Sequence, residues 1–344
     1  MCFLSYKKKE DDNMRITIKK KRIYIILAIF FILLGMYSTY LFLSPEYYLS
    51  FVTIETDEKN GEGKLNFYYE NLSENESQKL LSVPYSASCP VGVYDLKNNC
   101  IYYSDKQLKE GEQTSNDKVV RYDCSLKKSE VIIKDLNCIN DMYLRNDGTL
   151  VIIAKKGEDT NIQPYLYNFS DNSIESIVLD GDMCFESNYN PYDDEFIFCG
   201  YSDAEYREML EKYNKEQNIE NQSDYNIDNN IYLFKKNINL SHSFKTGNIP
   251  VIVKDSEKII YGKCDGFFSE HLSFEILENN KREPLSLDES ILNLISLRKD
   301  KLICVASSRN CQGIYEYDLN EKKFTKSLFF DPDESIYSAH LVKK

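Results

Sequence analysis

ILNLISLRKDKLICVASSRNCQGIYEYDLNEKKFTKSLFFD, residues Ile291–Asp331, decides the fold. It reads as four short strands: ILNLISL, a turn at Arg298–Asp300, KLICVAS, a second turn, QGIYEYD, a turn at Leu319–Lys322, and KFTKSLFF. Ile, Leu, Val, Tyr and Phe fill the strands and polar residues fill the turns, the pattern of antiparallel hairpins. A lone four-stranded meander exposes both faces and is marginal in water. It needs neighbours of its own kind.

The sequence supplies them. Six segments share the layout, strand A, turn, strand B, loop, strand C, turn, strand D. Strand A begins near Val91 (VGVYDLKNN), Ile139 (INDMYLRNDG), Cys184 (CFESNYNPYDD), Ile249 (IPVIVKDSE), Ile291 and Ser335 (SIYSAHLVKK). The period is about 42–48 residues, except where an insertion lengthens the third copy. Four strands at that period imply propeller blades. Leu49–Thr56, Lys64–Glu70 and Gln78–Val83 read as strands B, C and D with no A before them, and Ser335–Lys343 as an A with no B after it. Joined, they complete a sixth blade and close the ring, removing exposed edges. The expected fold is all-β, a six-bladed β-propeller closed by N- and C-terminal strands and preceded by one transmembrane helix. An open β-array or two sandwiches is the alternative.

The repeats YDLKNNCIYYSD, LRNDGTLVII and IYEYDLNEKKF resemble those of the TolB-like six-bladed β-propellers, particularly the membrane-tethered versions of low-GC bacteria. The resemblance covers Leu49 to the last residue and rests on hairpin turns. It implies a partner-binding protein and transfers no catalytic residue, because a fold is not a function.

The N-terminal part is a separate object. Residues 23–43, IYIILAIFFILLGMYSTYLFL, form 21 uncharged residues, enough to cross a bilayer as a helix. Eight Lys and Arg precede the span, and none follows until Lys59. That asymmetry places the N-terminus in the cytoplasm and the rest outside, a single-pass cell-membrane protein with an extracytoplasmic propeller. Tyr37, Tyr40, Tyr47 and Tyr48 would suit the outer interface. The competing reading, a cleaved signal peptide, lacks a small-x-small site, since Ser44-Pro45-Glu46 is poor. The expected parts are a basic tail at 1–22, the span at 23–43, a linker at 44–48, and the propeller at 49–344 with a helical insertion at 203–229.

The chain has 344 residues, a net charge of −13, 27 Tyr and no Trp. The acidic balance argues against nucleic acid, whose phosphates need a basic surface. The insertion opens with DAEYREMLEKYNKEQ, Asp203–Gln217, a helix with Asp203 as N-cap. Tyr206, Met209, Leu210 and Tyr213 form one apolar stripe on it, which either packs on the propeller or meets a partner.

Asp57, Asp105, Asp203 and Asp265 each fall near the end of a strand B, on the face that carries the B–C and D–A loops. Ringed about one axis they could hold a cation such as Ca²⁺. The simpler reading is turn chemistry, because Asp caps nearby backbone N–H groups. Cys304 and Cys311 flank a turn symmetrically and could face one another. Histidine is limited to His242, His271 and His340, and spacing offers none of them a Ser, Cys or carboxylate partner. No cofactor motif is present. The sequence favours a non-enzymatic binding or scaffold module for a protein or cell-envelope partner. The alternative is a cation-dependent hydrolase or lactonase-like enzyme at the channel mouth.

Overall fold

The computed structural model describes residues 29, 47–56, 63–72, 76–85, 89–107, 116–157, 161–177, 179, 182–216, 230–234, 240–245, 248–252, 258–264, 272–279, 281–287, 291–298, 300–308 and 311–344. The expected tail, the span (Ile29 apart), Asp57 and Asp265 lie outside them. Among the described residues no helix is long and apolar enough to cross a membrane. The β-rich unit runs from Tyr47 to Lys344.

That unit opens with the meander β1 (Tyr47–Thr56), β2 (Gly63–Asn71) and β3 (Glu76–Pro84). There follow β4 (Gly92–Asp95), β5 (Cys100–Gln107), β6 (Asn116–Asp123), the long β7 (Lys128–Leu144), β8 (Leu150–Lys156), β9 (Gln163–Asn168) and β10 (Ser173–Ser176). These seven make one sheet, in the order β10-β9-β8-β7-β6-β5-β4. The next sheet is β11 (Asp182–Asn190), β12 (Glu195–Ser202), β13 (Asn230–Phe234) and β14 (Leu240–Lys245), with helix α1 (Asp203–Glu216) between β12 and β13. Two more meanders follow: β15 (Asn248–Ile252), β16 (Ile259–Cys264), β17 (Leu272–Glu278) and β18 (Lys281–Leu285), then β19 (Ile291–Arg298), β20 (Lys301–Ser308), β21 (Cys311–Asp318) and β22 (Lys323–Phe330). Finally β23 (Glu334–Lys343) returns to pair antiparallel with β1, Leu49 opposite Leu341 and Phe51 opposite Ala339. The arrangement is an all-β, propeller-like fold whose first and last strands share a sheet.

Among the described residues there are four four-stranded sheets and one of seven strands, not six separate sheets as expected. The reason is β7. Its first half pairs with β6 up to Leu136, and its second half pairs with β8 from Leu136 to Leu144. A strand has replaced the loop expected between two meanders. Asp135 and Cys138 take positive φ values of 59° and 50°, and the register breaks between Asn137 and Asp141, so the strand bends where it changes partners.

Strands near the middle of each sheet are buried on both faces. In β12 every residue from Phe196 to Tyr201 is buried. Phe196, Phe198 and Phe234 pack with Tyr143 and Ile153 of the preceding sheet in one cluster. Phe51 lies flat on Tyr68, with ring centroids 4.9 Å apart, and both meet Phe329 of the neighbouring sheet. Burying such a ring contributes about 1.5–3 kcal/mol.

The hairpin turns share one chemistry. An Asp or Asn opens the turn and the residue four places later has positive φ: Asp95 with Asn99, Asp123 with Lys127, Asn168 with Asn172, Asn190 with Asp194, Asp318 with Lys322. In four of them the opening side chain accepts the backbone N–H two residues on, as Asp318 Oδ1 does from Asn320 (2.8 Å) and Glu321 (2.9 Å). These bonds replace strand pairing where the chain reverses.

Three local expectations are corrected. Tyr47 and Tyr48 belong to β1, not to a linker or membrane interface: the buried Tyr48 hydroxyl donates to the Tyr94 carbonyl at 2.6 Å, and Tyr47 packs on Tyr192. Cys311 pairs with Ser308 and Cys304 with Tyr315, so the two cysteines do not face one another. Helix α1 begins at Asp203, and Ser202 is its cap, its Oγ accepting the Glu205 N–H at 3.4 Å.

Candidate functional site

A cavity of about 150 Å³ opens where the inner strands begin. It is lined by Val91 before β4, Asn140 and Asp141 of β7, Ile153 of β8, Glu186 and Ser187 of β11, Leu292 and Asn293 of β19, and Tyr337 and Ser338 of β23. Asp141, Glu186, Asn293 and Tyr337 are each the third residue of their strand A, counted from Ile139, Cys184, Ile291 and Ser335. The repeat therefore brings one register position from four copies to the hub. Asn188 braces this hub by donating its side-chain amide to the Leu294 carbonyl.

Asp141 is held from several sides. The Met142 N–H donates to its Oδ1 at 2.8 Å, and the Tyr143 hydroxyl donates to Oδ2. Ser187 Oγ lies 2.9 Å from the Tyr143 oxygen and can donate to it. Burial, then the charge of Asp141, raises the Tyr143 phenol well above its ordinary value, so it stays a neutral donor. His340 Nε2 is 3.1 Å from Asp141 Oδ1, within ion-pair reach but without the alignment of a hydrogen bond. The imidazole instead stands edge-on to the Tyr143 ring, centroids 4.7 Å apart. The hydroxyl of Ser187 engages Tyr143 and not the imidazole, so the cluster is not arranged as a nucleophile with its base.

Ser338 lines the cavity and is buried, yet its Oγ has no hydrogen-bond partner among the described residues. Two apolar residues of the lining, Leu292 and Tyr337, are exposed; Tyr85 and Phe330, also exposed, lie at the ends of the edge strands β3 and β22. This is also the end of the sheets at which α1 leaves β12.

The residues singled out in the sequence lie elsewhere. Asp105 is at the end of β5, bound to Lys118 at 3.0 Å, and Asp203 is in the first turn of α1, bound to Arg207 at 2.8 Å. Neither lines the cavity. Among the described residues no three His, Cys, Asp or Glu side chains approach closely enough to hold a metal. The α1 stripe faces inward: Met209 is buried against Met183 and Tyr201, with Tyr206 and Leu210 packed beside them. Tyr206 meets Tyr201 at 5.2 Å between ring centroids. The Tyr213 side chain lies outside the described part.

Sequence reasoning missed Asp141, Tyr143, Glu186, Ser187 and His340. Spacing could not join Asp141 to His340, but stacking the six A strands and reading down their third column finds the acidic pair. A second groove, about 660 Å³, lies at the other end of the strands. Turns 95–98, 145–149 and 168–172 line it, with Arg121, Glu130, Lys343 and Lys344. Arg121 is bound to Glu130 and Arg145 to Asp147 and Asp194.

No protein-family model matches the chain, and no curated protein matches it in sequence. Solved structures do match. A chain of the nidogen/laminin complex is 12% identical, with a TM-score of 0.54 over 86% of this chain and 98% of that one. TolB from Acinetobacter baumannii is 13% identical, with a TM-score of 0.54 over 86% of this chain and 66% of TolB. Hydrazine synthase of Kuenenia stuttgartiensis is 10% identical, with a TM-score of 0.56 over 87% of this chain and 47% of that one. At these identities the likeness is one of fold, and it is a likeness to β-propellers.

Proposed function

We propose that this chain is a membrane-tethered, extracytoplasmic β-propeller that binds a protein or cell-envelope partner and performs no catalysis. In this reading the seven-stranded sheet counts as two blades sharing β7, so that six blades surround the hub. The observation that carries it is the hub cavity, whose lining combines polar Asn140, Asp141, Glu186 and Asn293 with the exposed Leu292 and Tyr337. Exposed apolar residues gathered round a polar recess mark interaction sites. The nidogen/laminin neighbour is a propeller found in a protein complex, which favours a protein partner.

Residues 23–43 are the anchor, with the basic tail inside the cell. Three residues, 44–46, separate the span from β1 in the sequence. Two measurements test this. A cysteine placed at Glu216 is labelled by an impermeant maleimide in intact cells; protection there overturns the topology. Cross-linking in intact membranes yields an adduct that Leu292→Arg removes; an adduct unchanged by that substitution overturns the proposed binding face.

A further inference from the structure

We infer that Cys89 and Cys138 form a reversible disulfide at the hub, a modification site that stands apart from the binding reading above. Cys89 lies just before β4 and Cys138 lies within β7, two inner strands in contact with one another. The Cys89 Sγ sits 3.7 Å from Asn140 Oδ1, and Asn140 follows Cys138 by two residues. Asp117 stands beside both cysteines: its Oδ2 accepts the Ile139 N–H, next to Cys138, at 3.2 Å. Burial pushes the Cys89 thiol pKa up; a bond with Tyr337 opposes this, and the nearby charges of Cys138 and Asp117 add to it.

Cys138 is placed to react. Among the described residues it is the one exposed cysteine; Cys89 and Cys124 are half-buried and the others are buried. An exposed thiol meets an oxidant that a buried one does not. Its backbone is unusual as well. Cys138 has a φ of 50°, and it falls in the register break between Asn137 and Asp141, after pairing with β6 has ended at Leu136. Cysteine ordinarily avoids that region, and a bulge of this kind re-aims a side chain. No ladder register to β6 or β8 fixes Cys138, so the bend can yield as the sulfur atoms close. Cys89 is the fixed partner: its carbonyl accepts from Ser104 Oγ at 2.6 Å and from the Val91 N–H at 3.1 Å.

The step balances with a disulfide oxidant such as oxidised glutathione. The Cys138 thiolate attacks one glutathione sulfur, forms a mixed disulfide and releases one glutathione thiolate. The Cys89 thiol then gives its proton to solvent, attacks the Cys138 sulfur and releases the second glutathione. Two protein thiols are oxidised, and one glutathione disulfide is reduced to two thiols. The product staples two neighbouring inner strands and closes a loop of about 50 residues, which constrains the unfolded chain. It also withdraws the Cys89 sulfur from Asn140, a residue of the cavity wall, so the redox state reaches the hub lining.

The full-length chain in detergent micelles is treated with oxidised glutathione, its remaining thiols are blocked with N-ethylmaleimide, and its peptides are mapped by mass spectrometry. The wild type carries a link between Cys89 and Cys138 and keeps no glutathione on either, and dithiothreitol restores both thiols. Cys89→Ser keeps one glutathione on Cys138, because the second attacking thiol is missing. Cys138→Ser, at an exposed position that leaves the fold intact, slows oxidation of Cys89 about tenfold or more. A wild type in which both thiols stay reduced, or which retains glutathione on Cys138 as Cys89→Ser does, overturns the inference. Undiminished oxidation of Cys89 in Cys138→Ser, or a link from either residue to a different cysteine, also overturns it.

Discussion

Lys79 Nζ lies 2.7 Å from Glu334 Oε1, joining residues 255 positions apart across the sheet in which the two ends of the propeller meet. Glu334 also accepts from the Thr53 and Tyr68 hydroxyls, so one carboxylate contacts all three other strands of that sheet. Burial pushes the Glu334 pKa up, but the bonds from Lys79, Thr53 and Tyr68 outweigh it and hold the carboxyl below its ordinary value of 4.5. A depressed carboxylate stabilises the fold above its unfolded pKa, and that stability is lost as pH falls below about 4.5. Glu334→Ala lowers stability by about 2–4 kcal/mol at pH 7, and the difference from wild type narrows in acid. Urea titrations at pH 7 and pH 3 check both statements; an equal deficit at both values contradicts the ionic account.

Arg145 reaches Asp194 through Nε at 3.3 Å and Nη2 at 2.6 Å, tying the turn after β7 to the turn after β11. Tyr189 donates to the same carboxylate at 2.8 Å, and the guanidinium sits over the Phe196 ring. Asp194→Ala leaves a buried guanidinium without this partner and costs about 3 kcal/mol, where an exposed pair would cost less than one. Thermal denaturation measures it, and a shift within error would show that the other contacts of Arg145 satisfy it.

Gly92 at the head of β4 has no room for a side chain. A Cβ there would sit 2.6 Å from Phe67 Cε1 and 2.8 Å from the Tyr102 carbonyl oxygen. The backbone oxygen cannot swing aside as a side chain can. Gly92→Ala therefore costs about 1–3 kcal/mol. In contrast, Gly148→Ala meets no neighbouring atom and is penalised only through its φ of +87°. Comparing the two by denaturant midpoint separates crowding from backbone strain.

Met209→Ala empties the contact between α1 and the Met183–Tyr201 surface. Local opening of α1 becomes easier while the sheets keep their stability. Hydrogen exchange rises across 203–216 with little change in β12 and β13; a matching rise in β12 would mean the helix is part of the global cooperative unit.

The strands and turns were legible in the sequence because their causes are local. ILNLISLRKDKLICVAS carries its own apolar runs and turn, and the observed β19 and β20 end within a residue of the pattern. The meeting of β1 with β23 was also legible, since an A strand without a B and a B strand without an A have one economical solution. The fusion through β7 was not. Nothing in KSEVIIKDLNCINDMYL marks where one meander stops, and one of the two residues at the bend, Cys138, is of a type that ordinarily avoids positive φ. The recurrent Asp set drew the eye away from the hub because Asp also serves turns. The acidic pair Asp141 and Glu186 is hidden among apolar neighbours, 45 residues apart, and meets only once the repeats are wrapped into a ring.

The pairing of β1 with β23 also sets an order of events. During synthesis β1 leaves the ribosome well before its partner, which follows only after β22 has been made. Until β23 follows, one side of β1 presents unpaired backbone groups, open to wrong strands and to neighbouring nascent chains. The ring can lock only after Glu334–Lys343 has emerged. That edge therefore stays open for as long as the segment between Thr56 and Glu334 takes to be made.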